Sequence, residues 1–158
     1  MVPELAADAR IEGSRIVFMG QSFGGSVALD LASPQRRKLA GIGPTFAAVV
    51  AYYPWCYDTY GMGKKADFDL PVLVLGGAAD EWTPVGRCRS LAEAQAARGD
   101  APPFEVEVYD GAYHSFDLDE MPRYDIEGVT GTQVVAGNPE AAAASRERYR
   151  AWLSEILP

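Results

Sequence analysis

Three short runs of apolar residues and one alternating segment divide the chain. The runs cover residues 16–19, 46–53 and 71–75. Each has the length of a strand that is buried on both faces, as in a parallel sheet. Residues 104–109 alternate apolar and charged side chains, which is typical of a half-exposed strand at a sheet edge. The pattern therefore predicts about four strands.

Helices are predicted between the strands and after the last one. Residues 3–10 are predicted as the end of a helix, and residues 26–32 as a helix of small and apolar residues. Thr83, followed by a proline, is typical of a helix N-cap and predicts a helix that ends near residue 98. A final helix is predicted over residues 139–157, and its apolar stripe consists of Tyr149, Trp152, Leu153 and Ile156.

The other segments have no clear period. We predict a loop or helix end for residues 34–44, a loop at the edge of the sheet where the strands end for residues 55–69, and irregular structure for residues 115–138. Elsewhere strand and helix alternate, which favours a parallel sheet with right-handed crossovers. We expect a single α/β domain with an open, mainly parallel sheet flanked by helices.

The charge balance restricts the partners. The chain has 158 residues, with 22 acidic and 14 basic side chains and a formal net charge of −8. Such a surface repels nucleic acid and anionic membranes. The one dense basic stretch, residues 36–38, is expected to be a solvated helix end. No run of about 18 apolar residues occurs, so we expect no membrane-spanning segment. The first residues also lack the pattern of a signal peptide. Together with the negative charge, these features lead us to expect neither nucleic-acid nor membrane binding.

The segment from Gly20 to Gly24 has the sequence Gly-Gln-Ser-Phe-Gly, which is the Gly-x-Ser-x-Gly pattern of a nucleophile elbow. In such a turn the serine lies between a strand and a helix, and glycine on both sides avoids clashes. The serine hydroxyl then lies beside a helix N-terminus, where free amides stabilise negative charge. Because the pentapeptide also occurs by chance, an ordinary strand-to-helix turn is the alternative. The position between a buried strand and a helix favours Ser22 as a nucleophile.

A serine hydroxyl needs a base, and the chain has one histidine, His114, in the loop after the last predicted strand. A carboxylate must then orient the imidazole. Asp80 follows the third strand, so we expect it at the same sheet edge as Ser22 and His114. The chain order serine, aspartate, histidine is that of α/β-hydrolases. Asp58, after the second strand, is the alternative acid, whereas Glu81 is expected to be a surface charge.

Segments beyond this turn carry a family resemblance. They are Asp-Glu-Trp-Thr-Pro at residues 80–84, Gly-Ala-Tyr-His-Ser-Phe-Asp at residues 111–117 and Asn-Pro-Glu-Ala at residues 138–141. Together with the Gly-x-Ser-x-Gly pattern, they resemble the C-terminal portion of the dienelactone hydrolase family in the α/β-hydrolase superfamily. The resemblance implies a partial α/β-hydrolase fold in which Ser22, Asp80 and His114 form a catalytic triad. It also implies that the Phe23 backbone amide supplies one oxyanion donor.

Two departures from the family pattern change the expectation. Dienelactone hydrolases carry cysteine at the nucleophile position, whereas this chain has Ser22, which favours a general ester or acyl hydrolase. Family members also have several strands and a substrate-binding loop before this position, where the chain has only about 15 residues. That portion would supply a second oxyanion amide and cover the edge of the first strand. We expect residues 1–158 to be the C-terminal portion of a single α/β-hydrolase domain, with the N-terminal strands missing.

The two cysteines allow a disulfide. Cys56 follows the second strand, and Cys88 lies early in the helix after the third. If those strands are neighbours, both thiols lie near one sheet edge and can be bonded; two buried free thiols are the alternative. A disulfide would imply a periplasmic or secreted protein, and free thiols a cytoplasmic one. Two cysteines and one histidine are too few and too scattered for zinc, and we expect no metal or other cofactor.

These observations predict an enzyme that cleaves a carboxylic ester or lactone through a Ser-His-Asp triad and an acyl-enzyme intermediate. Aromatic residues on the loop edge are candidates for lining an acyl pocket, although aromatic side chains more often simply pack; they are Tyr53, Trp55, Tyr57, Trp82 and Tyr113. Besides a small ester or lactone, the expected partners are a second copy of the chain or a chain that supplies the missing N-terminal half. The alternatives are a truncated, inactive hydrolase and a non-catalytic module that docks its open strand edge onto such a chain.

Overall fold

The computed structural model describes residues 4, 7–42, 46–56, 67–128 and 131–157. The strands are β1 (Val17–Gln21), β2 (Ala48–Tyr52), β3 (Val72–Gly77), β4 (Phe104–Tyr109), β5 (Tyr124–Gly128) and β6 (Gly131–Val135). The α-helices are α1 (Phe23–Ala32), α2 (Pro34–Leu39), α3 (Gly86–Ala96) and α4 (Pro139–Ile156), and a short 3₁₀ helix spans Gly13–Arg15. None of the described helices combines the length and apolar character that crossing a membrane requires. Within the helix predicted for residues 3–10, residues 3, 5 and 6 lie outside the described residues, and residues 4 and 7 are helical.

Strands β1 to β4 form one parallel sheet in the order β1-β2-β3-β4. Strands β2 and β3 are buried along their whole length, because each has a neighbour on both sides and helices lie on both faces. Strand β4 is at one edge, and all its residues after the first are only partly buried. Its alternating sequence predicts this position correctly. The prediction of an open α/β sheet of about four parallel strands is confirmed.

Helices pack on both faces of this sheet. On one face, α1 and α3 cover a core that includes Leu29, Val49 and Leu91. On the other face, α4 buries Trp152 completely against the sheet. The Trp152 indole donates a hydrogen bond to the Glu105 carboxylate at 2.7 Å, which satisfies its buried polar atom. The apolar stripe predicted for the last helix is confirmed.

Between β4 and α4 the chain forms an antiparallel hairpin that the sequence does not predict. Strand β5 pairs with β6 so that Tyr124 lies opposite Val135. The prediction of irregular structure over residues 115–138 is therefore wrong for both strands. All residues of β5 are exposed, so its sequence has no buried face that would produce an apolar period. A bridge between His114 and Val135 connects the hairpin to the loop after β4.

The basic stretch at residues 36–38 lies in α2, and its middle residue is not solvated. The Arg37 side chain is only 4% exposed. Its guanidinium donates to the Leu31 carbonyl oxygen at 2.6 Å and to the two carboxylate oxygens of Asp69 at 2.8 and 2.6 Å. These bonds compensate for burying the charge. The expectation of a solvated helix end is wrong for Arg37.

Helix α3 begins later than its sequence predicts. Its N-cap is Val85, which makes no side-chain capping bond. The Thr83 hydroxyl bonds the Asp80 carboxylate instead. The prediction of Thr83 as the N-cap is therefore wrong, because threonine is also favoured in tight turns that precede a helix.

Candidate active site

The turn between β1 and α1 holds Ser22 in a strained conformation. Its φ of 51° lies in the left-handed region, which is rare for a residue with a Cβ atom. A Cβ on Gly20 would lie 2.1 Å from the Gly24 carbonyl oxygen, and one on Gly25 would lie 2.7 Å from the Tyr52 carbonyl oxygen. A Cβ on Gly24 would meet no described atom within 4 Å. The steric need for glycine, predicted on both sides of the serine, therefore holds at Gly20 and not at Gly24.

The structure brings Ser22, His114 and Asp80 together beyond the carboxyl ends of β1, β4 and β3. The Nε2 atom of His114 lies 2.9 Å from Ser22 Oγ, and its Nδ1 atom lies 2.8 Å from Asp80 Oδ2. The side chains of His114 and Asp80 are 5% and 1% exposed. When Nδ1–H donates to the carboxylate, Nε2 is an acceptor that can take the serine proton. Glu81 is exposed, and Asp58 lies outside the described residues.

A tight turn after β3 holds the Asp80 carboxylate. Its Oδ1 atom accepts hydrogen bonds from the backbone amides of Trp82 and Thr83, both at 2.9 Å. The Thr83 hydroxyl lies 2.7 Å from Asp80 Oδ2 and 3.0 Å from the Tyr53 carbonyl oxygen, so its one proton can go to either. Burial raises the pKa of Asp80, but hydrogen bonds from His114 and Thr83 outweigh it and hold that pKa below its ordinary value. The carboxylate is therefore ionised at neutral pH.

Two aromatic rings enclose the imidazole of His114. The ring centroid of Tyr53 lies 4.5 Å from that of the imidazole, and the ring centroid of Trp82 lies 5.0 Å from it. Tyr53 has a φ of 36°, an unusual value for a bulky residue. Its backbone amide donates to the Leu75 carbonyl oxygen at 2.8 Å, which fixes it to β3. The two rings restrict the imidazole to one orientation and give the site an apolar wall.

Asp117 connects two sides of the site, and the sequence analysis assigns it no role. Its Oδ1 atom accepts a hydrogen bond from the Tyr53 hydroxyl and its Oδ2 atom accepts one from the Gln21 side-chain amide, both at 2.5 Å. Burial of the phenol, and then the neighbouring Asp117 carboxylate, raise the pKa of Tyr53, so its hydroxyl stays protonated and donates. The sequence signal is its position three residues after His114, in a segment that carries the family resemblance.

Phe23 follows Ser22 directly and is the first residue of α1. The residue is 82% exposed. The backbone N–H of the first helical residue has no carbonyl partner within the helix, which is the property that an oxyanion donor needs. The position of Phe23 is thus suited to the role that the family resemblance implies.

The other predicted pocket residues make contacts away from the imidazole. The Trp55 backbone amide donates to Ser26 Oγ at 2.9 Å, which places this segment against α1. The Tyr113 ring packs against the Arg123 guanidinium, 5.3 Å from the ring centroid. Trp55 is 38% exposed. Tyr57 lies outside the described residues.

Cys56 and Cys88 form a disulfide whose Cα atoms are 5.2 Å apart. Both residues are buried. Of the two alternatives that the sequence leaves open, the structure therefore has the bonded one. The bond joins the segment after β2 to α3. Within the described ranges, no group of three or more histidine, cysteine, aspartate or glutamate side chains could hold a metal ion.

The fold and the placement of the site define the class of protein. A parallel sheet flanked by helices, with polar residues gathered beyond the carboxyl ends of its strands, is a partial α/β-hydrolase fold. A sequence model of the dienelactone hydrolase family matches residues 1–157. The chain belongs to the dienelactone hydrolase family, which is a family of hydrolases, and the resemblance noted in the sequence is confirmed. A comparison with curated proteins returns no match.

Solved structures with the same fold are longer than this chain. A Klebsiella pneumoniae protein described as a dienelactone hydrolase matches with a TM-score of 0.71 and 23% identity, over 97% of this chain and 57% of that chain. A dienelactone hydrolase-like promiscuous phosphotriesterase from metagenomic libraries matches with a TM-score of 0.69 and 24% identity, over 98% and 58% of the two chains. The apo form of Thermogutta terrifontis esterase 2 matches with a TM-score of 0.67 and 19% identity, over 99% of this chain and 61% of that chain. The chain spans about three-fifths of their length, and at these identities the likeness shows the fold alone.

Proposed function

We propose that this chain carries the catalytic residues of a hydrolase that cleaves a carboxylic ester or a lactone. Ser22 is the nucleophile, His114 the general base and Asp80 the carboxylate that orients it. The observation that carries the proposal is the continuous hydrogen-bonded path from Ser22 Oγ to Asp80 Oδ2 through the imidazole, with contacts of 2.9 and 2.8 Å. This path meets the geometric requirement for activating a serine hydroxyl. Membership of the dienelactone hydrolase family supports the same reaction class.

The mechanism is two-step acyl transfer. His114 Nε2 takes the hydroxyl proton as Ser22 Oγ attacks the carbonyl carbon, and the ionised Asp80 stabilises the imidazolium that forms. The Phe23 backbone amide donates to the oxyanion of the tetrahedral intermediate. As the intermediate collapses, the imidazolium gives its proton to the leaving alkoxide and an acyl-enzyme remains. Water, deprotonated by His114, then releases the acid and restores Ser22.

An apolar acyl or alcohol group is the best match for the surroundings of the serine. The Tyr53 and Trp82 rings lie against the imidazole, and Trp82 is 42% exposed. Trp55 and Tyr113 lie in the segments that follow β2 and β4, at the same edge of the sheet. Aromatic walls with a few fixed polar groups are typical of small-molecule sites. We therefore assign substrate binding to these four residues.

Hydrolysis of p-nitrophenyl acetate tests the proposal, with wild type compared with Ser22→Ala. We expect the substitution to lower kcat/KM roughly 10³-fold or more, because the nucleophile is lost. Ser90→Ala, on the exposed side of α3, is the matched control and should retain the wild-type rate. A fluorophosphonate should label the peptide that contains Ser22 and no other serine peptide. Equal rates for wild type and Ser22→Ala would overturn the enzyme proposal for this chain.

The second candidate is a non-catalytic or inactive module that needs another chain. The observation in its favour is the edge of β1, which among the described residues pairs only with β2. Met19, on β1, is 52% exposed beside that edge. Such an edge favours pairing with another strand, supplied by the N-terminal half of a hydrolase or by a second copy of this chain. Sedimentation of the purified chain would distinguish a monomer from a homo-oligomer, and an inactive wild type would favour this candidate.

The disulfide supports a periplasmic or secreted location over a cytoplasmic one, because such bonds persist in oxidising compartments. We propose that location for the protein. Alkylation in denaturant of the protein taken from its source cells, before any reduction, should leave Cys56 and Cys88 unmodified. Modification of both thiols would favour the cytoplasm.

A further inference from the structure

The Asp117 carboxylate has two partners that come from distant parts of the chain. The Tyr53 hydroxyl and the Gln21 amide donate to its two oxygen atoms, each at 2.5 Å. Gln21 is the last residue of β1 and directly precedes Ser22. Asp117 itself lies three residues after His114. One carboxylate therefore bonds directly to the turn that carries the serine and to the ring that contacts the imidazole.

Tyr53 needs such an attachment because its backbone is strained. A φ of 36° is unfavourable for a residue with a large side chain, and it persists only where neighbours fix it. The backbone amide bonds the Leu75 carbonyl oxygen, and the Tyr53 carbonyl oxygen lies 3.0 Å from the Thr83 hydroxyl. The bond to Asp117 fixes the remaining end of the residue, the phenol. The ring held in this way lies 4.5 Å from the imidazole.

A nearby carboxylate shows what an ordinary acidic residue does in this loop. Asp119 forms a two-bond ion pair with Arg146, at 2.7 Å for each bond, between the loop and α4. Asp117 is instead bonded to two neutral donors, and both belong to the site. Hydrogen bonds to an ionised group are stronger than those between neutral groups. The partners of Asp119 therefore indicate attachment of the loop to α4, whereas those of Asp117 indicate a role in positioning groups of the site.

We infer that Asp117 is a positioning residue, which fixes the Tyr53 ring against His114 and the Ser22 turn against the histidine loop. The inference rests on the proposed function of Ser22, His114 and Asp80. The two hydrogen bonds of Asp117 described above go to Gln21 and Tyr53, and neither goes to the serine hydroxyl or the imidazole. Asp117 therefore acts on the reacting groups through Gln21 and Tyr53. Small displacements of reacting groups can lower the rate by about a hundredfold, so this support bears directly on kcat.

The kinetic test compares Asp117→Ala, Asp117→Asn and Tyr53→Phe, with Asp119→Asn as the matched control. We expect Asp117→Ala to lower kcat about tenfold to a hundredfold with KM within about twofold. Asparagine should restore much of the rate, since its oxygen can accept from Tyr53 while its amide donates to a rotated Gln21. Tyr53→Phe keeps the ring and removes only the hydroxyl, so it breaks the same hydrogen bond as Asp117→Ala. The loss in kcat of the double variant should therefore be smaller than the product of the two single losses.

Two kinetic outcomes would overturn the inference. The first is a kcat for Asp117→Ala within about twofold of that for Asp119→Asn. The second is a double variant, Asp117→Ala with Tyr53→Phe, whose loss in kcat equals the product of the two single losses. A loss of thermal stability without a loss in kcat would show that Asp117 serves the fold and not the site.

Nuclear magnetic resonance provides a readout that does not depend on activity. The chain has a single histidine, so its imidazole signals belong to His114 without further assignment. We expect Asp117→Ala to shift or broaden these signals, because the neighbouring Tyr53 ring is released, and Asp119→Asn to leave them unchanged. If the signals respond while wild type and Ser22→Ala are equally inactive, the proposed function fails and the positioning geometry stands. Unchanged imidazole signals in Asp117→Ala would overturn the inference.

Discussion

Backbone strain in this molecule is concentrated around one imidazole. The non-glycine residues with positive φ in the described chain are Ser22, Tyr53 and Ser115. The first is bonded to His114 through its hydroxyl, the second packs on the ring, and the third follows it in sequence. Such conformations cost of the order of 1–3 kcal/mol each and persist where the surrounding structure fixes them. The clustering supports a functional role for this part of the chain.

Glycine at position 20 is the sharpest steric requirement of the serine turn. We expect Gly20→Ala to destabilise the protein by about 3 kcal/mol or more, because the new Cβ would lie 2.1 Å from a backbone oxygen of Gly24 that cannot move freely. Gly24→Ala is the matched control and should change stability by about 1 kcal/mol or less, since Ala is favoured in a helix. Urea unfolding followed by circular dichroism measures both. Similar midpoints for the two variants would contradict this account of the turn.

At the scale of elements, the disulfide links the segment after β2 to helix α3, which follows the neighbouring strand β3. Cys56 lies three residues after Tyr53, and Cys88 is in α3, which follows the Asp80 turn. The Thr83 hydroxyl reaches the Tyr53 carbonyl oxygen between the same two segments. A covalent bond and a hydrogen bond therefore hold the loop with the aromatic ring beside the loop with the carboxylate.

Removing the disulfide should destabilise the protein substantially. We expect the double substitution of Cys56 and Cys88 by alanine to lower the free energy of unfolding by roughly 3–4 kcal/mol, the entropic estimate for a loop of this length; the two residues are 32 positions apart. Urea unfolding with and without a reductant measures the effect. The reductant should lower the midpoint of wild type and leave that of the double variant unchanged. A wild-type midpoint that does not respond to full reduction would refute the prediction.

At the scale of the whole molecule, the topology of the sheet assembles the site. Ser22, Tyr53, Asp80 and His114 each lie within a few residues of the carboxyl end of β1, β2, β3 and β4, respectively. Because the strands are parallel and in sequential order, those ends share one edge. Apolar cores on both faces hold the strands in register.

Acid should destabilise the molecule through Asp80. Its pKa lies below the ordinary value of 3.8 in the folded protein, so the folded state binds the proton less readily than the unfolded state. The resulting stability is fully present above that ordinary value and is lost as the pH falls through the lower, folded-state pKa. We expect the difference in urea midpoint between wild type and Asp80→Asn to shrink from pH 6 towards pH 3. A difference in urea midpoint that stays constant or grows as the pH falls would contradict the prediction.

The sequence by itself determined the parallel strands, because buried strands require continuous apolar runs and residues 46–53 and 71–75 contain them. It also placed Ser22, Asp80 and His114 at one sheet edge, since strand ends and loops follow from local pattern and chain order. Only the tertiary structure decided the pairing of the cysteines, which the sequence left open.

The contacts that the sequence missed join segments that are distant along the chain. The buried Arg37 guanidinium pairs with Asp69, and the Asp117 carboxylate bonds Gln21 and Tyr53. The β5–β6 hairpin is exposed on one whole strand and leaves no apolar period. Periodicity reports which face of an element is buried. Which polar groups meet across the loops depends on how the elements pack, and tertiary structure alone decides that.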